Sequence, residues 1–260
     1  MNLRIYNHQF LTDDSTWVFG FLDQIKLMED SGLLEAVDVM NLTAIGNNNQ
    51  QKILTDLIKD HSKVQLHAID SSVTQQDVAS DFASLDNSRG NRFVSEAVTI
   101  NRLWTDSAKD DFYALYIHGK GVTAYTRFLM KNDAQQFRNY YYWRKFLEWG
   151  TVENWHNCVN ALHEGYDVAG CNFNNDPWPH FSGNIWWARS RYIRTLDDNT
   201  DSAWWRSVRQ HYHTDRLCDE MWPCSHAKRV YNIHSPGPEL CSPNPGLYSK
   251  AYLRKNYEQN

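Results

Sequence analysis

The sequence predicts an α/β fold: a mixed, mainly parallel sheet flanked by helices, in a single domain. Three observations carry that prediction. Short β-branched and aromatic runs alternate with amphipathic stretches as far as His118, and that order requires parallel strands with helices on the sheet faces. A chain of 260 residues suits one large domain. A composition that is 42% hydrophobic and 22% charged belongs to a globular chain rather than a disordered one.

Leu3 to His8 reads as the first strand. Val18, Phe21, Leu22, Ile25 and Met28 fall at helical spacing in a segment that starts at Trp17 and stops at Ser31-Gly32. Ala36 to Leu42 is a second strand. Gln50 to Asp60, with Ile53, Leu57 and Ile58, is a second helix, and Lys63 to Ile69 alternates as a third strand. Phe93 to Trp104 is helical, and Asp111 to His118 is a fourth, central strand. The pattern then turns aromatic. Ala134 to Trp149 and Glu153 to His163 read as helices, and Tyr166 to Phe173 and Phe181 to Arg189 as strands. Ser190 to Leu196 and Ala203 to Tyr212 are helices, and Val230 to His234 is a late strand. The tail from Ser235, with Pro236, Pro238, Pro243 and Pro245, reads as an extended covering loop. Residues 1–121 form a nucleotide-binding type of α/β half, 122–237 a mixed aromatic half and 238–260 a C-terminal extension. Ligands of open α/β sheets sit beyond the carboxyl ends of the strands. By that position alone Asn7, His8 and Asp70 are candidates for the nucleoside end of a ligand, with His118-Gly119-Lys120 beside them.

Several classes are excluded. The mean hydropathy is −0.66, and no apolar run approaches the roughly 18 residues of a membrane span. The start, Met1 to Ile5, lacks the basic flank and apolar core of a signal peptide. Five cysteines with no C-x-x-C pair argue against a disulfide framework and a zinc ribbon. A reducing, cytoplasmic location is expected. There is no P-loop, G-x-G-x-x-G, G-x-S-x-G or H-E-x-x-H segment. Charge is uneven. Residues 1–100 hold 7 Lys and Arg against 14 Asp and Glu, and residues 101–260 hold 19 against 17, within a net −5. Eight of the 11 histidines lie in the second part, where a polyanionic ligand finds its cations. The 14% aromatic content fits either a heavily aromatic core or a surface that stacks on sugars or bases.

Four segments carry chemistry. Tyr116-Ile117-His118-Gly119-Lys120-Gly121 puts an imidazole and an ammonium at a strand mouth, with glycines that admit a ligand; the alternative is a polar turn. Lys120 is a point charge suited to phosphate. Trp143-Arg144 adds a further candidate cation. His180-Phe181-Ser182-Gly183-Asn184-Ile185-Trp186-Trp187 places Gly-Asn in mid-strand, which is unfavourable unless a ligand passes close; the alternative is a bulge with two core tryptophans. Trp186 and Trp187 point to opposite faces, so at most one lines the ligand. Asp219-Glu220 supplies carboxylates for a general base, or is an exposed acidic pair on a helix. Tyr231 to Gly237 ends a strand in His234, which is otherwise a satisfied loop histidine.

In order, these segments resemble GT-A type glycosyltransferases. The likeness is to the group with H-x-K-G, W-R and G-N-x-W-W-A motifs related to rhamnan-synthesis glycosyltransferases. Here they read His118-Gly119-Lys120-Gly121, Trp143-Arg144 and Gly183-Asn184-Ile185-Trp186-Trp187-Ala188. Ser31-Gly32-Leu33-Leu34 and Glu96 also look like that group. The resemblance runs from about residue 3 to residue 237. It implies a GT-A-like, Rossmann-like sheet and transfer of a sugar from a nucleotide-sugar donor, a UDP-sugar as first guess, to a hydroxyl acceptor. The group's usual Asp-x-Asp metal motif is missing, and His118-Gly119-Lys120 stands in its place. Lys120, with His118, Arg144 or His234, is expected to neutralise the departing diphosphate. No obligatory metal is therefore expected, although Mn²⁺ remains compatible with the histidines. Glu220, with Asp219 as substitute, falls where inverting enzymes of this type place their base. Gly183, Asn184, Trp186, Trp187 and His180 are expected on the sugar and acceptor side. The default acceptor is a glycan, such as a capsule, O-antigen or viral surface glycan. The runner-up is a hydroxylated base in phage DNA, for which Arg189, Arg191, Arg194, Arg206 and Arg209 would meet the phosphates. A non-catalytic carbohydrate-binding module is the third reading. The sequence gives no oligomeric state.

Overall fold

The computed structural model describes residues 2–70, 96–119, 134–199, 203–212, 215–234 and 252–258. Strand β1 (Asn2–Phe10) is followed by helices α1 (Trp17–Asp30) and α2 (Leu33–Ala36), then β2 (Val39–Gly46), α3 (Asn48–Ile58) and β3 (Val64–Asp70). Next come α4 (Ala97–Ser107), β4 (Phe112–His118), α5 (Ala134–Glu148) with a π-turn at Trp149–Glu153, and α6 (Trp155–His163). Strands β5 (Val168–Gly170), β6 (Phe173–Asn174), β7 (His180–Phe181) and β8 (Trp186–Arg189) follow. Helices α7 (Ser190–Ile193), α8 (Ala203–Tyr212) and α9 (Asp215–Met221) lead to the last strand, β9 (Val230–Asn232).

Seven strands form one sheet in the order β3-β2-β1-β4-β8-β5-β9, with β4 at its centre, and β6 and β7 make a small separate hairpin. Every neighbour pairs in parallel except β8, which runs antiparallel to both β4 and β5. This is the mixed, mainly parallel, helix-flanked sheet that the sequence predicts. Strand alternation sorts the side chains onto two faces. Leu3, Ile5, Leu42, Leu115, Ile117 and Trp187 pack with Trp17, Phe21 and Phe146 on one face. Tyr6, Phe112, Ala114, Tyr116 and Trp186 pack with Ile100, Leu103 and Trp222 on the other. Much of the aromatic content is thus core, and Trp17, Trp186, Trp187 and Trp222 are all fully buried. Tyr252 and Tyr257 from the tail belong to the first face, where Tyr252 stacks on Phe146 and Tyr257 meets the same ring edge-on.

Several expected elements are redrawn. Ala36 closes a short helix instead of opening a strand, because Gly32 at φ 72° turns the chain and Leu33 and Leu34 bury as one helical turn. The buried stripe of α1 is Trp17, Gly20, Phe21, Gln24, Ile25 and Met28. Leu22 lies off that stripe and is exposed, as is Ile53 on α3, where Leu54 turns inward. The run from Tyr166 to Phe173 splits at Asn172, whose φ is 63°. The run from Phe181 to Arg189 splits at Gly183 (φ 104°) and Asn184 (φ 54°). Cys158, Cys171, Cys218 and Cys224 are free and buried. Among the described residues no helix is long and apolar enough to cross a membrane.

Candidate functional site

The order of strands reverses between β1 and β4, since β2 and β3 lie to one side of β1 and β4 to the other. In open α/β sheets that switch point opens a crevice at the carboxyl ends. Register places His8 beside His118 at those ends, and the Gly119 N–H donates to the His8 carbonyl at 2.9 Å. Both imidazoles lie on the Tyr6–Tyr116 face. His8 is buried against Thr99, Nδ1 to Oγ1 2.9 Å. Burial pushes its pKa down to about 4, opposed by Glu96 and helped by His118.

His118 bridges two elements. Its Nε2 lies 2.9 Å from the Gly183 carbonyl, an acceptor only, so that nitrogen carries a proton. Its Nδ1 lies 3.5 Å from Glu96 Oε1. Glu96 caps the N-terminal end of α4, where the helix dipole favours a carboxylate. Its Oε2 accepts from the Tyr116 hydroxyl at 3.1 Å and from Asn184 Nδ2 at 2.6 Å. Burial, then the charges of Glu96 and Asp219, push the Tyr116 hydroxyl well above its ordinary pKa. Asn184 Oδ1 accepts from Trp186 Nε1 at 2.8 Å, and Trp186 stacks on Tyr116 at 5.2 Å. The Gly183 N–H donates to Glu220 Oε1 at 2.6 Å. A Cβ at residue 183 would stand 2.4 Å from Leu147 Cδ1 at a φ that disfavours side chains, so only glycine fits here.

The structure therefore gathers His8, His118, Gly183, Asn184 and Glu220 at the carboxyl ends of β1 and β4, linked through Glu96 and Gly183. Trp186, expected on the sugar side, is instead fully buried in the core between Tyr116 and Trp222, and Asp219 is buried with its charge felt at Tyr116. For Glu96 the sequence offered a likeness without a role. The Gly-Asn pair in a strand pattern was the usable signal, and the break in the strand is its physical cause.

Other expected site residues lie elsewhere. Trp187 points to the opposite face and donates to the Thr151 carbonyl at 2.8 Å, which makes it core. Asn7 also faces away from His8. Its Oδ1 accepts from Gln9 Nε2 at 2.7 Å under α1, and Gln24 of α1 donates to the His118 carbonyl at 2.9 Å. Arg144 is 2% exposed and ties α5 to α1 through the Gly20 carbonyl (3.2 Å) and Asp23 (2.5 Å), with Glu148 at 3.6 Å. The ring of His234 packs edge-on against Phe146 and Trp149, and burial lowers its pKa. His180 is held within its hairpin by the Trp178 carbonyl (2.6 Å) and the Ser182 hydroxyl (2.9 Å). The side chain of Asp70, the whole of Lys120 and the segment from Ser235 to Gly237 lie outside the described residues.

Three members of the basic run, Arg189, Arg191 and Arg194, sit at the opposite, amino-terminal edge of the parallel strands. Arg189 pairs with Asp167, and Arg191 and Arg194 pair with Asp111 just before β4. Arg206 is exposed, and the side chain of Arg209 lies outside the described residues. Among the described residues no group of three or more His, Cys, Asp or Glu is placed to share a metal ion.

Fold and site together define an α/β protein with a mixed, mainly parallel sheet and a cluster of buried polar groups at its strand switch point. The chain belongs to the family described as Domain of unknown function (DUF8361), which matches residues 34–229. No curated protein matches it. Among solved structures it is similar to a 4-diphosphocytidyl-2C-methyl-D-erythritol synthase from Anaerococcus prevotii, at 10% identity and TM-score 0.36, over 97% of this chain and 99% of that one. It is also similar to the galactosyltransferase LgtC in complex with donor and acceptor sugar analogues, at 11% identity and TM-score 0.39, over 97% and 84%.

Proposed function

We propose that the protein is a nucleotide-sugar-dependent glycosyltransferase of GT-A type that inverts configuration, with Glu220 as its base. One observation carries this reading: the Gly183–Asn184 turn brings Glu220 to the carboxyl-edge crevice beside His8 and His118, at the strand switch point. A carboxylate fixed through one oxygen by the Gly183 N–H keeps its other oxygen for a substrate proton. In the proposed step the acceptor hydroxyl attacks the anomeric carbon and its proton passes to Glu220. The bond from that carbon to the diphosphate breaks, and the nucleoside diphosphate leaves with the electron pair. Lys120 and His118 supply the positive charge facing the departing diphosphate, in place of a metal held by Asp-x-Asp. A UDP-sugar donor and a glycan acceptor complete the reading.

Thermal unfolding with UDP-, GDP-, dTDP- and CMP-sugars, each in EDTA and in Mn²⁺, tests the donor site, because a ligand of the folded state raises the melting temperature. One donor stabilising the protein in EDTA is the expected result. Stabilisation only with Mn²⁺ would overturn metal-free transfer. Glu220→Gln is expected to lower transfer by about 10²–10⁴-fold while donor stabilisation persists. A variant that left every binding property unchanged in a protein without turnover would turn the reading into a carbohydrate-binding module.

A further inference from the structure

We propose that Glu96 is the positioning residue of this site: its carboxylate holds the Gly183–Asn184 turn against β4 and thereby sets where Glu220 stands. The turn lies between β7 and β8, and its two residues have φ of 104° and 54°. A segment at such angles persists only where its surroundings fix it. Glu96 fixes it from two sides. Directly, Oε2 accepts from the Asn184 side chain at 2.6 Å. Indirectly, Oε1 faces His118 Nδ1 at 3.5 Å, and the same ring donates from Nε2 to the Gly183 carbonyl at 2.9 Å. The peptide unit that starts at the held carbonyl leads into Asn184, and the N–H of the same Gly183 carries Glu220 Oε1 at 2.6 Å. One carboxylate is thus linked to the other through a glycine whose own side-chain space is filled by Leu147.

The contacts of Glu96 come from three elements: the Tyr116 hydroxyl and the His118 ring on β4, His8 on β1, and the Asn184 amide of the turn. A carboxylate shared among such donors holds them at fixed distances from one another. The effect of Glu96 on transfer rests on the reading of Glu220 as base; its effect on the turn does not.

The test uses the full chain, labelled with ¹⁵N at glycine and histidine, as wild type and as Glu96→Gln, Asn184→Gly and Glu220→Gln. In the wild type the Gly183 amide proton is expected far downfield, from its short bond to a carboxylate. Glu96→Gln should move the Gly183 amide upfield toward its position in Glu220→Gln, and shift the His118 ring resonances. Asn184→Gly, which tolerates the left-handed backbone, should shift the amide in the same direction by less. An unmoved Gly183 amide in a well-dispersed Glu96→Gln spectrum overturns the proposal. If Glu96→Gln does not fold, an unmoved amide in Asn184→Gly does so. In transfer assays Glu96→Gln should lower kcat by at least about 10-fold with the donor KM within about twofold, the split expected of a residue that acts through the base. Should the wild type transfer no sugar from any donor, the functional reading fails, and the amide shift still decides the positioning role.

Discussion

Two carboxylates on opposite faces of the sheet each meet cations, and the contrast between them separates support from function. Glu148 is fully buried on the α1–α5 face, with Arg144 at 3.6 Å and Lys145 at 3.3 Å. Both partners are permanent cations at neutral pH, and Asp23 balances them from the outer side. Glu96, on the other face, keeps 24% of its side chain exposed and is matched by an imidazole and two uncharged donors. In the first cluster Glu148 and Arg144 are closed to solvent, and its outer members Lys145 and Asp23 are already paired with each other. The second has a titratable partner and an edge toward the crevice. Residue type alone suggested the reverse for Arg144, since an arginine in an aromatic helix reads as a phosphate ligand. Burial decides otherwise.

The sharpest way to break this contrast is Arg144→Met. It keeps much of the side-chain volume and leaves the buried Glu148 with Lys145 as the one cation left of the two, so denaturant unfolding should show a loss of up to about 3–5 kcal/mol. Unchanged stability with lost donor binding would instead put Arg144 in the donor site.

A smaller effect follows from His8. Its folded pKa of about 4 lies below the ordinary 6.5, so the unfolded chain binds the extra proton first. Stability should therefore be unaffected above pH 6.5 and fall as pH drops from 6.5 toward 4, by about 3 kcal/mol at most. His8→Asn should flatten the difference curve in that window. A wild type and variant with parallel curves would mean that His8 is protonated as readily folded as unfolded. The smallest effect belongs to the amino-terminal edge. Arg191→Ala removes an exposed pair with Asp111 and should change neither the unfolding midpoint nor donor stabilisation, because solvent screens such pairs. A loss of donor stabilisation there would move the ligand to the wrong end of the sheet.

The first half of the fold was legible because its signals are local. Apolar runs such as Asp111 to His118 and stripes such as Phe21, Ile25 and Met28 need no knowledge of what lies opposite. Leu22 and Ile53 were misplaced because the phase of a stripe is set by the partner surface. Ala36 to Leu42 was misread because a short apolar run fits either a strand or a buried helical turn. At the site, His118, Gly183 and Asn184 announced themselves through residue types out of place in their elements, and Glu220 through the family resemblance. Glu96 did not. Its partners Tyr116 and Asn184 lie 20 and 88 residues away, and no local pattern marks such contacts.

The position of β8 has a kinetic consequence. It enters the sheet reversed, between β4 and β5, and its pairing with β4 is the seam that joins the strands of the two chain halves. Neither half can complete its hydrogen-bonding edges alone, and the sheet should unfold as one cooperative unit. Closing the contact from His118 to Gly183 spans 65 residues, and loop-closure entropy makes such distant pairings slow to form. On refolding, the crevice should therefore be assembled late, after β1 to β3 have paired, and binding competence should lag behind the recovery of secondary structure.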